Sequence, residues 1–124
     1  MNLLLDTHIV LWWLSDYTRL TARARKAIET SDLAFVSAAT AWEIGIKSSL
    51  KKLEFRGELE EQLALNDFRP LPVSMTHAVA SGRLPRHHND PFDRMLVAQA
   101  TIEGLTLLTV DKRLKAYAAR VMLI

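Results

Sequence analysis

Short apolar runs alternate with amphipathic stretches from one end of this chain to the other, and that alternation admits few folds. Strand, helix, strand, helix in succession requires a largely parallel sheet whose faces are both covered by crossover helices. The expected class is therefore α/β. Leu3-Leu4-Leu5 reads as a buried strand that stops at Asp6-Thr7, ahead of an apolar helix from His8 to Leu14. Leu20 to Glu29 reads as a surface helix and Leu33 to Val36 as the second strand. Ser37 caps a helix predicted over Ala38 to Lys52, where Trp42, Ile46 and Leu50 recur at helical spacing. Glu58 to Leu65 looks helical, Arg69 to Val73 extended and Met75 to Ser81 helical. Asp90-Pro91 opens a helix that ends at Gly104, with cap, proline and glycine in their preferred places. Thr106 to Val110 reads as a strand, Asp111 to Tyr117 as a short helix and Val121 to Ile124 as an edge strand. With 124 residues, 49% of them hydrophobic, the chain is expected to form one domain over residues 1–124.

In an open α/β sheet, ligands bind outside the carboxyl ends of the strands. Asp6 and Asp111 each follow a predicted strand, Asp93 lies in the first turn of the helix after a polar loop, and Glu43 sits on the helix leaving the second strand. Four acids from distant parts of the chain thus point to one edge. Each also has a structural reading: Asp6 and Asp111 as helix caps, Glu43 with Lys47 as an i, i+4 ion pair, and Asp90 with Asp93 as a capping box. Gathered together, four carboxylates repel one another unless a cation offsets them. An all-oxygen set suits Mg²⁺ or Mn²⁺, and such sites perform phosphoryl chemistry.

Other chemistries lack their residues. The absence of cysteine removes disulfides, thiolate zinc and a Cys nucleophile, and fits a reducing compartment. No Gly-rich phosphate loop, HExxH or nucleophilic serine motif is present. An aspartyl phosphatase built on Asp6 wants a second aspartate where this chain has His8. His87 and His88 read as loop surface near a substrate phosphate, and the four histidines have no zinc-motif spacing. The N-terminus lacks a signal-peptide pattern and no apolar run approaches a membrane span, so a soluble, cytoplasmic protein with no membrane contact is expected.

Four segments together carry a resemblance: Leu3-Leu4-Leu5-Asp6-Thr7-His8, Val36 through Lys47 around Trp42-Glu43-Ile44, Asp90-Pro91-Phe92-Asp93-Arg94-Met95-Leu96-Val97-Ala98-Gln99-Ala100, and Leu108-Thr109-Val110-Asp111. In order and spacing they resemble the PIN-domain ribonucleases, and more narrowly the VapC-like toxins of type II toxin–antitoxin pairs. The resemblance implies a three-layer α/β/α PIN-like fold and an endoribonuclease dependent on Mg²⁺ or Mn²⁺. It implies an acidic site of Asp6, Glu43, Asp93 and Asp111, with Asp6, Asp93 and Asp111 holding metal. Thr7, Ser37 and Thr109 match polar positions that orient acids or waters, and Asp90 keeps its capping role. The resemblance also implies a homodimer and a cognate antitoxin. The alternative is a PIN-like module that binds RNA or protein without catalysis.

Glu43 lies about two turns into its helix, which at ~1.5 Å per residue starts it below the rim and suits orienting water, with Lys47 neutralising it. An RNA substrate calls for basic groups around the acids, and Lys47, Arg86, Arg94, Lys112 and Arg113 are the candidates, with Lys51 and Lys52 farther along. Adjacent Trp12 and Trp13 point about 100° apart on a helix, which leaves two readings of equal weight: one on the sheet with the other at an interface, or both in the core between two helices. The formal charge is only +2, but setting aside four of the 14 acids leaves 10 against 16 Lys+Arg, a basic surface around an acidic pocket.

Overall fold

The computed structural model describes residues 1–124. In chain order its elements are β1 (Asn2–Leu5), α1 (Thr7–Ser15), α2 (Ala22–Thr30), β2 (Leu33–Ser37), α3 (Ala38–Ser49), α4 (Leu59–Leu65), β3 (Phe68–Leu71), α5 (Met75–Arg83), α6 (Pro91–Glu103), β4 (Thr106–Thr109) and β5 (Arg120–Leu123). Short 3-10 turns occupy Tyr17–Arg19 and Lys112–Ala116.

The leucine run of β1 is continuous because both of its faces are buried. Leu3 and Leu5 meet Ile9 and Val10 of α1, Ala24 and Ile28 of α2 and Leu63 of α4. Leu4 points the other way, to Leu96, Val97 and Ala100 of α6 and to Leu107 of β4. Burying each leucine fully contributes ~1.5–3 kcal/mol, so β1 ties both outer layers to the sheet. The result is the expected α/β/α arrangement.

All strand pairs are parallel, in the order β3-β2-β1-β4-β5. The chain winds outward from β1 through β2 to β3, then crosses back to β4 and β5 on the other side. Winding therefore reverses between β1 and β4, and the loops leaving their carboxyl ends diverge to open a crevice. Asp6 and Asp111 leave those two strands.

Local chemistry sets the boundaries. Asp6, Thr21, Ser37, Ser74 and Asp90 accept backbone N–H groups as helix caps, so α2 begins after Thr21 rather than at Leu20. The third helix stops at Ser49, short of Lys52, because Lys51 takes a left-handed φ of 58°. Helix α6 ends as expected at Gly104, whose φ of 68° suits a residue without Cβ. The spacing of Trp42, Ile46 and Leu50 does not mark a core stripe: Trp42 and Leu50 are exposed, and α3 buries Ala39, Thr40, Glu43 and Ile44 instead. Both tryptophans of α1 rest half-buried on the first core cluster. Trp13 meets Phe68 and donates its indole N–H to Asn66, while Trp12 lies beneath the Arg19 guanidinium. No helix is long and apolar enough to cross a membrane.

Candidate active site

The crevice between β1 and β4 is a cleft of about 430 Å³ lined by Asp6, Thr7, His8, Glu43, Lys47, Asp90, Asp93, Val110, Asp111, Lys112 and Arg113. All four acids singled out by the sequence line it. Asp6 is buried at the end of β1, its Oδ1 accepting the His8 N–H at 2.7 Å and its Oδ2 the Thr109 hydroxyl at 2.6 Å. That hydroxyl also accepts the Asp111 N–H at 3.0 Å. One threonine at the end of β4 therefore locks the two strand-end aspartates to each other. The Asp6 carboxylate in turn holds His8 above the usual imidazole range.

Glu43 is buried in the cleft wall with both oxygens engaged. Oε1 accepts the Thr7 hydroxyl at 2.7 Å, and Oε2 the Lys47 ammonium at 2.6 Å. The i, i+4 pair and the functional placement are thus the same contact, and it raises the Lys47 pKa.

Asp90 accepts the Phe92 N–H at 2.8 Å and the Asp93 N–H at 3.3 Å, the expected cap. Asp93 does not reach back to complete a capping box. It turns into the cleft, where burial, followed by the charges of Asp90 and Asp6, pushes its pKa up to about 7. Asp111 shows the opposite shift, to about 2, because Arg113 donates to both of its oxygens.

Asp93 and Asp111 converge on a residue the sequence did not single out. The His88 Nε2 lies 3.0 Å from Asp93 Oδ2 and 3.0 Å from Asp111 Oδ2, and the ring is buried rather than on the loop surface. The only sequence signal was its place two residues before the cap Asp90, where Nδ1 accepts the Asp90 N–H at 3.1 Å.

Two further expectations need correction. Arg94 is not available to RNA: it is buried, and its guanidinium donates to the carbonyls of Ser81, Leu84, Pro85 and His88. Ser37 caps α3, its hydroxyl accepting the Ala39 N–H at 3.0 Å, and makes no hydrogen bond to an acid of the site. Lys47, Lys112 and Arg113 do rim the cleft, whereas Arg86 is exposed on the loop outside its lining.

The donor set fits a hard divalent cation. Its oxygens come from carboxylates, and the Asp93 pKa is raised first by burial and then by the charges of Asp90 and Asp6, so its ionised form is disfavoured until a cation offsets it. Candidate ligand atoms of Asp93, Asp111 and His88 lie within 4.8 Å of one another, close enough for a single ion.

A profile of the PIN domain matches residues 3–120. The chain belongs to the PIN-domain family. This PIN domain is 30% identical over 123 residues to Ribonuclease VapC22 of Mycobacterium tuberculosis, covering 94% of the chain and 92% of that protein. Its fold matches FitAcB from Neisseria gonorrhoeae with a TM-score of 0.71 at 22% identity, over 97% of this chain and 96% of the other. A toxin–antitoxin complex from Klebsiella pneumoniae matches with a TM-score of 0.67 at 22% identity, over 96% and 94% of the two chains. The family and the fold expected from the sequence are both met.

Proposed function

We propose that this PIN domain is a divalent-metal-dependent endoribonuclease, the toxin of a toxin–antitoxin pair. The observation that carries the reading is the convergence of Asp6, Glu43, Asp93 and Asp111 in one cleft at the sheet's switch point. The 30% identity to a ribonuclease over nearly the whole chain supports the substrate class, and the fold it shares with a toxin–antitoxin complex supports an antitoxin partner that silences it.

In this reading Asp6, Asp93 and Asp111 hold Mg²⁺ or Mn²⁺. A divalent ion held there would supply a water of lowered pKa for attack on the phosphodiester and positive charge for the departing oxygen. The protein's own residues do the positioning. Thr109 fixes the Asp6 carboxylate, and the Thr7 hydroxyl and Lys47 ammonium fix Glu43, which orients the attacking water. Lys47, Lys112 and Arg113, which line the cleft, meet the backbone phosphates. Arg113 must give up part of its hold on Asp111 to do so. Arg86, exposed on the loop before α6 and outside the cleft lining, is the remaining candidate for a phosphate contact.

A homodimer belongs to the proposal. Trp42, Val73, Phe92 and Met95 line an apolar cleft of about 380 Å³ in which Trp42 and Val73 are exposed. A monomer at micromolar concentration by sedimentation removes this part.

The function is tested by brief expression in cells with mapping of RNA 5′ ends. Wild type is expected to produce discrete new ends that Asp93→Asn does not produce. Identical end profiles for the two proteins overturn the reading.

A further inference from the structure

His88, Arg94 and Tyr117 are buried beside the acids and take no part in the reaction proposed above. Arg94 spends its guanidinium on backbone: Nη1 donates to Pro85 O at 3.0 Å and His88 O at 3.3 Å, and Nη2 to Ser81 O and Leu84 O, both at 3.0 Å. A buried cation committed to four carbonyls, from Ser81 at the end of α5 to His88 in the loop that follows, is a clamp. Tyr117 completes it from the 3-10 turn after β4. Its hydroxyl donates to Pro85 O at 2.9 Å and accepts the His88 N–H at 3.0 Å. The backbone of His88 is therefore held at both its N–H and its carbonyl.

The ring's protonation follows from its partners. Nδ1 accepts the Asp90 N–H at 3.1 Å, so in the neutral imidazole the proton sits on Nε2. That N–H donates to Asp111 Oδ2 at 3.0 Å, with Asp93 Oδ2 at the same distance from the nitrogen. Ligating a metal through Nε2 requires an unprotonated Nε2, which moves the proton to Nδ1 and breaks the bond from Asp90. Although His88, Asp93 and Asp111 form a compact group, His88 is therefore built as a donor to the acids rather than as a ligand beside them.

We propose that His88 is a positioning residue that holds Asp93 and Asp111 side by side before the ion arrives, and that Arg94 and Tyr117 act through it. This rests on the assignment of Asp93 and Asp111 as metal-holding residues. Two adjacent carboxylates repel and splay when free. An N–H set between them moves the work of bringing them together from ion binding to folding, and removing such an outer partner typically weakens metal binding about 10–100-fold.

The test is Mn²⁺ binding by titration calorimetry on RNA-free protein, for wild type, His88→Ala, His88→Gln and Tyr117→Phe, each checked for a cooperative melt in EDTA. His88→Ala is expected to bind Mn²⁺ about 10–100-fold more weakly. His88→Gln, whose amide N–H can stand in for Nε2–H, recovers most of that loss. Tyr117→Phe touches neither acid and is expected to weaken binding several-fold, and it carries the test if His88→Ala does not fold. Wild-type affinity in both folded His88→Ala and Tyr117→Phe overturns the proposal, as does loss in His88→Gln equal to that in His88→Ala. A ¹⁵N-resolved imidazole spectrum reads the tautomer directly: His88 keeps its Nε2–H when Mg²⁺ is added, and loss of that proton to a coordinating nitrogen overturns the donor role. If wild type binds no divalent ion, the metal-dependent reading falls with it, whereas binding unchanged in the variants removes only the role of His88.

Discussion

Replacing Asp93 by asparagine should make the metal-free protein more stable at pH 8 while abolishing its activity. Burial and the neighbouring charges of Asp90 and Asp6 raise the Asp93 pKa from 3.8 to about 7. A carboxyl whose pKa is raised on folding binds its proton more tightly in the native state. Its protonated form thus contributes stability that is fully present below pH 3.8, declines as pH climbs, and is gone above pH 7. At pH 8 the ionised side chain opposes folding by at most about 4 kcal/mol, at about 1.4 kcal/mol per pKa unit. Water reaching the partly exposed carboxyl lowers this to about 2 kcal/mol. Asparagine keeps the size and one acceptor oxygen for His88 but carries no charge. In EDTA at pH 8, Asp93→Asn should melt on the order of 5–10 °C above wild type, and the gap should close toward pH 4. Circular dichroism melts at both pH values provide the measurement. Added Mg²⁺ should raise wild type and leave the variant unmoved. A variant that melts at or below wild type in EDTA at pH 8 refutes the claim that the ionised Asp93 carboxylate is disfavoured in the cleft.

Thr109→Val removes the hydroxyl that joins Asp6 Oδ2 to the Asp111 N–H, and chemical denaturation should show a loss of about 1–3 kcal/mol together with reduced cleavage. Lys112→Ala should weaken RNA binding and reduce its salt slope by about 0.7, measured by fluorescence anisotropy across a salt series. Arg94→Met should leave that slope unchanged and instead lower stability by several kcal/mol, because it strands buried carbonyls. Gly104→Ala places a Cβ on a left-handed residue and should cost about 1 kcal/mol in the same denaturation assay.

The acids were legible because each is tied to a local signal. Asp6 and Asp111 terminate apolar runs, Asp90 announces a helix start, and Asp93 follows it by less than a turn. Parallel topology then brings them together, since every strand end lies on the same edge. The basic residues were not legible in the same way. Arg94 has the composition of a phosphate contact, but it is buried on the carbonyls of Ser81, Leu84, Pro85 and His88, which no pattern in sequence declares. His88 was hidden for the same reason: its partners come from α6, from the end of β4 and, through Tyr117, from the turn beyond. Helical spacing of Trp42, Ile46 and Leu50 marked α3 but not its buried face, since α3 turns Glu43 inward and leaves the Trp42 indole exposed, edge-on to Phe92.

Cleavage of single-stranded RNA by purified protein, with Mg²⁺ and in EDTA, tests the central claim most directly when wild type is run beside Asp6→Asn. The account predicts products from wild type with Mg²⁺, none in EDTA, recovery when Mg²⁺ is restored, and none at any point from Asp6→Asn. Equal cleavage in EDTA, or an Asp6→Asn protein that cuts as fast as wild type, contradicts it.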